Sequence, residues 1–549
     1  MVPKLPPQPP VPALEAPPQT DDPASDGAVL APQLNGLMFV NGLAAVQPDG
    51  VDAARLAGGV AAPGLPLLSG EDFVARVRPY LGRPLTRADL DAITRLVRER
   101  YRVAAQPFVE VSVPPQNVQT GVVQIVVTEY RVGEVRVSGA EHFSPDLIRR
   151  MADLETGDAL SLPRLRNALD NANQNPFLTV SAVVEPGAET GVTDVVLNAD
   201  DRQAIRAYAG YDNQGVRTLG RDEWNIGFNL GNVFGAGHIL SYQYTRSFSG
   251  RYVSHSASDV IPVRGGDRIL VFGAYAVQRP DIGFLFASEG HSSQASIRYA
   301  RRLAGGSPSM SQSLQFGFDF KQADSNLEFL GFRVLDTSVE IAQFPLVYNV
   351  TLTDRWGQSD VENLLVLSPG DLTDDNTDEA LQLLVPFAKA RYAYDRISLT
   401  RTTFLPRGGT WIARGMAQIS TGNLPYSEQV GAGGIGSVRG YDTNTLLGSE
   451  GVLFSQELRT PAFDMAKLFG SRAPGQIQLG VFWDYAYLRQ NEAFPDLPNG
   501  TTLSSIGANL HYTAGRYFNV QFEVGSQLKA APFTTAHDTR VAVVLTAGF

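Results

Sequence analysis

Leu314-Gln315-Phe316-Gly317-Phe318-Asp319-Phe320-Lys321 places a leucine and three phenylalanines at every second position, with glutamine, glycine, aspartate and lysine between them. A strand sends successive side chains to opposite faces, so this stretch reads as a strand with one apolar and one wet face. The period recurs. Trp224, Ile226, Phe228 and Leu230 alternate with Asn225, Gly227 and Asn229. Ile506, Ala508, Leu510 and Tyr512 alternate with Gly507, Asn509 and His511, and Phe518, Val520, Phe522 and Val524 with Asn519, Gln521 and Glu523. The chain ends on a strand pattern, Val541, Val543, Leu545, Ala547 and Phe549. A soluble sandwich also alternates, but its apolar face must fit a closed core, which disfavours so many large aromatics opposite lysine and aspartate. A membrane barrel requires an apolar, aromatic-flanked outside and a hydrated inside. The expected fold is an all-β transmembrane barrel.

Composition sets its extent. Of 51 aromatic residues in the 549-residue chain, 43 lie after residue 202, so a boundary falls near Asp200-Asp201. Sixteen strands of roughly ten residues fit residues 203–549, and twelve or eighteen also satisfy the arithmetic. Longer loops are expected at 249–266, 354–380 and 421–451. No run of about 20 apolar residues predicts a membrane-spanning helix; Leu37–Val46 is too short and is broken by Asn41-Gly42. Met1-Val2-Pro3-Lys4 leads straight into prolines without a signal-peptide pattern. Residues 1–34 hold ten prolines and read as an extended linker.

Residues 35–202 read as two small α+β units, 35–131 and 132–202. In the first, an opening strand near Leu37–Val46 is followed by helices over Glu71–Leu81 and Thr86–Val103, with Leu90, Ile93, Leu96, Val97 and Tyr101 on one face. Thr86 and Asp89 resemble a capping box. Strands Phe108–Val113 and Val122–Thr128 follow. The second unit repeats the order: strand Arg131–Val137, a helix opened by Ser144-Pro145, a helix over Pro163–Asn173, and strands Leu178–Val184 and Thr193–Asn198.

Several chemistries are excluded. Net charge is -11, the reverse of a nucleic-acid binder. There is no cysteine, which removes disulfides, thiolate metal sites and cysteine nucleophiles. Six scattered histidines lack metal-ligand spacing. Gly431-Ala432-Gly433-Gly434-Ile435-Gly436 satisfies G-x-G-x-x-G, but no helical pattern follows, so it reads as a turned loop rather than a dinucleotide site. No catalytic residue, metal or cofactor is expected, and the chain is not read as an enzyme.

After those glycines comes Val438-Arg439-Gly440-Tyr441. It resembles the V-R-G-Y/F signature on the inward-folded loop of the BamA-like outer-membrane superfamily. Phe482-Trp483-Asp484-Tyr485-Ala486 resembles that superfamily's F-x-D-x-G strand motif, with Ala486 in place of glycine. The two α+β units resemble paired POTRA domains. Tyr211-Asp212-Asn213-Gln214-Gly215 and Gly231-Asn232-Val233-Phe234-Gly235 resemble the first strands of two-partner secretion transporters, the FhaC-like TpsB family. By alternation, Phe482 and Asp484 share one strand face and Val481, Trp483 and Tyr485 the other. If the apolar face meets lipid, Asp484 points inward.

The resemblance implies a Gram-negative outer-membrane pore that secretes a large β-helical exoprotein, adhesin- or haemolysin-like, without ATP. Periplasmic POTRA domains would bind the unfolded substrate at their sheet edges, and substrate folding outside would drive export. It implies Val438, Arg439, Gly440 and Tyr441 as the gating loop motif, with Phe482 and Asp484 as its lumen partners. An Arg439–Asp484 pair in a hydrated channel is expected to add only about 0–1 kcal/mol, and more where water is excluded. Further implied partners are outer-membrane lipid including lipopolysaccharide and the barrel assembly machinery, with the protein itself a monomer. The family often begins with a pore-plugging helix. Residues 1–34 are too proline-rich for one, and Val51–Val60 is a short alternative weakened by Gly58-Gly59. The rival readings are a BamA-like insertase, which usually carries more POTRA units, and a passive porin, which would lack them.

Overall fold

The computed structural model describes residues 28–283, 285–303, 309–329, 332–469, 475–493, 499–532 and 534–549. The chain divides into two compact units, with the boundary between Gln203 and Ala204.

The N-terminal unit contains two sheets. The first runs Val60–Ala61, Gly36–Asn41, Val122–Glu129, Val109–Ser112. Helices Glu71–Val77 and Arg87–Val103 cover it. Phe73, Ile93, Val97 and Tyr101 are buried with Phe39, Ile125 and Val127. Thr86 and Asp89 form the reciprocal capping box that starts the longer helix. The second sheet runs Arg131–Ser138, Val192–Asp201, Leu178–Pro186. Its helices, Pro145–Ala152 and Leu162–Ala172, start on Ser144 and Ser161, whose hydroxyls accept from Leu147 N–H (3.2 Å) and Arg164 N–H (3.3 Å).

Most of the expected linker, residues 1–27, lies outside the described residues. Its end does not behave as a spacer. Val29–Ala31 pairs with Leu85–Thr86, and Ala31 and Leu34 are buried in the first unit's core. Val51–Val60 is no α-helix: Ala53–Arg55 and Ala57–Gly59 are single 3-10 turns, and Val51 and Leu56 pack on Val122. Gly58 at φ 73° and Gly59 at φ 76° interrupt any longer helix.

Among the described residues, residues 204–549 form sixteen principal strands, each antiparallel to the next in sequence. They are β1 Ile205–Asp212, β2 Glu223–Val233, β3 His238–Ser247, β4 Tyr252–Pro262, β5 Arg268–Gln278, β6 Phe286–Arg302, β7 Met310–Phe329 and β8 Phe332–Asp354. The rest are β9 Gly357–Pro369, β10 Arg391–Phe404, β11 Thr410–Ser420, β12 Glu450–Arg459, β13 Gln476–Arg489, β14 Thr501–Ala514, β15 Phe518–Gln527 and β16 Thr539–Gly548. β1 pairs with β16 from Tyr208↔Gly548 to Asp212↔Val544, which closes the barrel and leaves no edge. A two-residue strand, Phe463–Asp464, pairs with β13 in the β12–β13 connection.

The alternation has a direct structural meaning. Phe228, Phe316, Phe522 and Trp483 face outward, while Asn229, Glu523 and Asp484 are buried inside. Two expected loops are in part strands, although residues 370–380 of the second do lie in the connection from β9 to β10. Most of 249–266 is β4, and 357–369 is β9. Their inward positions carry Ser254, Ser256, Gln358, Asp360 and Glu362, the polar residues a wet lumen takes and a turn also takes. Residues 421–449 do connect β11 to β12, at the barrel end away from Ile205.

Candidate functional site

The β11–β12 connection folds into the lumen as a short hairpin, Val430–Ala432 against Leu446–Gly448, with the glycine-rich turn at its tip. Gly433 and Gly434 lie at φ 114° and 89°, and no helix follows them. On the tip, Val438 and Tyr441 are buried with Ala486 and Leu488 of β13 and Leu503 of β14. The alanine at 486 is itself fully enclosed in this cluster.

Arg439 is 4% exposed in its side chain and Asp484 0%. Arg439 Nε and Nη2 donate to Asp484 Oδ2 and Oδ1, both at 2.8 Å, and the Arg439 backbone N–H donates to Oδ2 at 3.0 Å. This is a bidentate fork with a backbone bond added, a geometry that lysine cannot reproduce. Ser455 Oγ accepts from Nη2 at 3.1 Å and donates to Asp484 Oδ1 at 2.7 Å. Below the guanidinium, the Phe482 ring centroid is 3.6 Å from its central carbon.

Two further carboxylates share the cation. Glu457 of β12 accepts from Arg439 Nη1 at 2.7 Å, and Glu523 of β15 lies 3.6 Å from it. Glu457 is also paired with Arg414 (3.4 Å), with Arg459 and with His511 (3.7 Å). The site is therefore a buried charge cluster of one arginine with three carboxylates, not the single pair expected from the motif. Glu523 stood in the alternating pattern of β15. Glu457 carried no such signal, because Gln456 beside it faces outward, accepting from Trp411 Nε1 (3.0 Å), and breaks the apolar period of β12.

The neighbouring motif residues fit the tip to the wall. Gly440 is at φ 90°, and a Cβ there would lie 2.9 Å from the backbone carbon and oxygen of Gly525 on β15. Two glycines thus permit backbone-to-backbone approach, and Gln527 Nε2 donates to Gly440 O at 2.7 Å. Tyr441 OH donates to Lys529 O (2.7 Å) and approaches Ser504 O at 2.9 Å. Asp442 accepts a fork from Arg221, both bonds at 2.8 Å, and pairs with Arg540 of β16. All six motif residues, Val438 to Tyr441 with Phe482 and Asp484, are thereby brought together. A cavity of about 500 Å³ remains between tip and wall, bordered by Arg396, Arg414, Glu457 and Glu523. Among the described residues no group of histidine and acidic side chains has the arrangement of a metal site.

Residues 191–510 match the family described as haemolysin secretion/activation protein ShlB/FhaC/HecB. Residues 58–129 match the ShlB-type POTRA domain, and 130–202 match the surface antigen variable number repeat, a POTRA family. The chain is 21% identical over 462 residues to the heme/hemopexin transporter protein HuxB of Haemophilus influenzae (strain 86-028NP), covering 80% of this chain and 78% of the relative. Its fold is similar to that of CdiB from Escherichia coli, with a TM-score of 0.77 at 19% identity over 97% of this chain and 92% of the other. It is less similar to BamA from Haemophilus ducreyi lacking POTRA domains 1-3, with a TM-score of 0.51 at 15% identity over 88% of this chain and 97% of the other. The first family match spans more than half of the chain, and the chain belongs to that family, the outer-membrane translocation pores of two-partner secretion with POTRA domains on the periplasmic side.

Proposed function

We propose that this chain exports one large exoprotein, of the β-helical adhesin or haemolysin-like class, which threads unfolded through the lumen when the inward loop yields. The Arg439 cluster carries the reading. A wall that closes through its own strand ladder also holds a charged insert, and an insert that is dispensable for closure can move. In this reading Val438, Arg439, Gly440 and Tyr441 gate the pore against Phe482 and Asp484. Folding of the emerging substrate outside supplies the drive. The protein works as a monomer, is inserted by the barrel assembly machinery, and meets outer-membrane lipid, including lipopolysaccharide, with its aromatic-flanked face.

The POTRA units take up the substrate by strand addition. At the outer edge of Leu178–Pro186, the Asn173 side chain already occupies Val180, accepting from its N–H at 2.7 Å and donating to its carbonyl at 2.9 Å. Alternation of outward groups leaves Ala182 and Val184 for an added strand. The test is Arg439→Ala with the partner exoprotein co-expressed. Membrane-inserted, heat-resistant barrel should persist while the secreted fraction falls. Normal secretion would overturn the reading. So would loss of other barrel proteins from the outer membrane when this chain is deleted, which would favour an insertase.

A further inference from the structure

The inward loop carries a second buried charge. Glu428 lies between Ser420, where β11 ends, and the hairpin, and it is 2% exposed. Its carboxylate receives four donors: Lys321 Nζ at 2.6 Å, Ser427 Oγ at 2.7 Å, Tyr394 OH at 2.9 Å and Gln343 Nε2 at 3.0 Å. Its carbonyl oxygen accepts from Gln418 Nε2 at 3.2 Å and Arg396 Nη2 at 3.3 Å. Gln343 is oriented in turn by Tyr392 OH, at 2.8 Å.

Lys321, Gln343 and Tyr394 stand on β7, β8 and β10, whereas the partners of Arg439 stand on β12, β13 and β15. The loop is thus pinned to two arcs of the wall with opposite polarity. Its tip offers a cation to carboxylates, and its root offers a carboxylate to a cation. A segment held at one point can swing about it; one held on two arcs cannot. A buried ion pair persists only while both partners stay matched, and each regains solvation once water enters. That makes a root contact of this kind a two-position element.

We propose that Glu428 is a second positioning residue of the pore, an outer latch that holds the loop root against β7–β10 independently of Arg439, so that the lumen opens fully only when both contacts release. The proposal rests on the translocation-pore reading.

Single-channel recording of the full-length protein in planar bilayers tests it. Glu428→Gln and Lys321→Met should each raise the ratio of open to closed time about tenfold. The exchange Lys321→Glu with Glu428→Lys should return the ratio toward wild type, a rescue that simple misfolding would not show. Tyr394→Phe, which keeps the ring and drops one bond, should give a smaller rise and serves if the charge variants fail to insert. The chain lacks cysteine, so Lys321→Cys with Glu428→Cys can be bridged by a short bis-methanethiosulfonate reagent, each thiolate displacing methanesulfinate to form a disulfide that reductant cleaves. The bridged channel should stay closed until reductant is added. An unchanged ratio in the inserted single variants, or a bridged channel that opens as freely as wild type, would overturn the latch. A wild-type protein silent in bilayers would instead remove the pore reading beneath it.

Discussion

Arg439 faces three carboxylates with one charge, and this inequality sets what its substitutions do. Removing the arginine takes the cation from Asp484 and Glu523 and one partner from Glu457, which keeps Arg414 and Arg459, whereas removing Asp484 leaves Arg439 beside two other acids. Breaking a buried pair by deleting one partner costs about 3–5 kcal/mol, well above the surface value. Arg439→Ala should therefore destabilise the docked loop more than Asp484→Asn, and Arg439→Lys should fall between them because it keeps charge without the fork. The order is read from the open fraction in planar bilayers; equal effects of Arg439→Ala and Asp484→Asn would mean that Glu457 and Glu523 take no part. Gly440→Ala forces a Cβ onto Gly525 and costs about 1–2 kcal/mol in left-handed backbone alone. It should raise the open fraction, and Gly525→Ala should do the same from the other side. The motif made Arg439 and Asp484 legible in the sequence. Glu457 was not, because the apolar period of its strand is interrupted by Gln456.

Among elements, the inward loop and the last POTRA strand make separable predictions. Deleting residues 421–449 removes both pinned points and should leave an inserted barrel of larger, steadier conductance; an unchanged conductance would mean that the loop does not occlude the pore. On strand Val192–Asp201, Asp201 accepts from the backbone N–H groups of Glu141 (3.0 Å), His142 (2.9 Å) and Phe143 (2.7 Å). Burial raises its pKa, but these bonds together outweigh burial and hold it below the ordinary aspartate value. A depressed carboxylate contributes stability above its unfolded pKa and loses it as pH falls through the folded one. Amide exchange at 141–143 should thus stay slow through mildly acidic pH and accelerate only below the usual aspartate range. Asp201→Asn should exchange fast throughout. An aspartate and an asparagine with the same profile would exclude this cap. Two POTRA helices were legible because Thr86 and Ser144 supply local start signals. β4 and β9 were misread as loops because a lumen-facing serine or glutamine satisfies either environment, and only closure of the barrel decides between them.

For the whole molecule, the division between Gln203 and Ala204 predicts that residues 203–549 carry the heat resistance and the conductance by themselves. Produced alone, they should migrate as a folded barrel on unheated gels and open in bilayers, but secrete nothing; a barrel that needs residues 28–202 to fold would refute the division. Sixteen strands and a closed barrel were within reach of arithmetic on length and period, while the register in which β1 meets β16 was not, because it pairs residues more than 300 positions apart. The alternation along β13 sets a rule for how such a chain can vary. Adding or removing one residue between Gln476 and Asp484 would rotate Asp484 into the hydrocarbon and Trp483 into the charge cluster, reversing inside and outside from there to the next turn. Within its walls this protein can change length only in pairs; single-residue drift belongs to its turns.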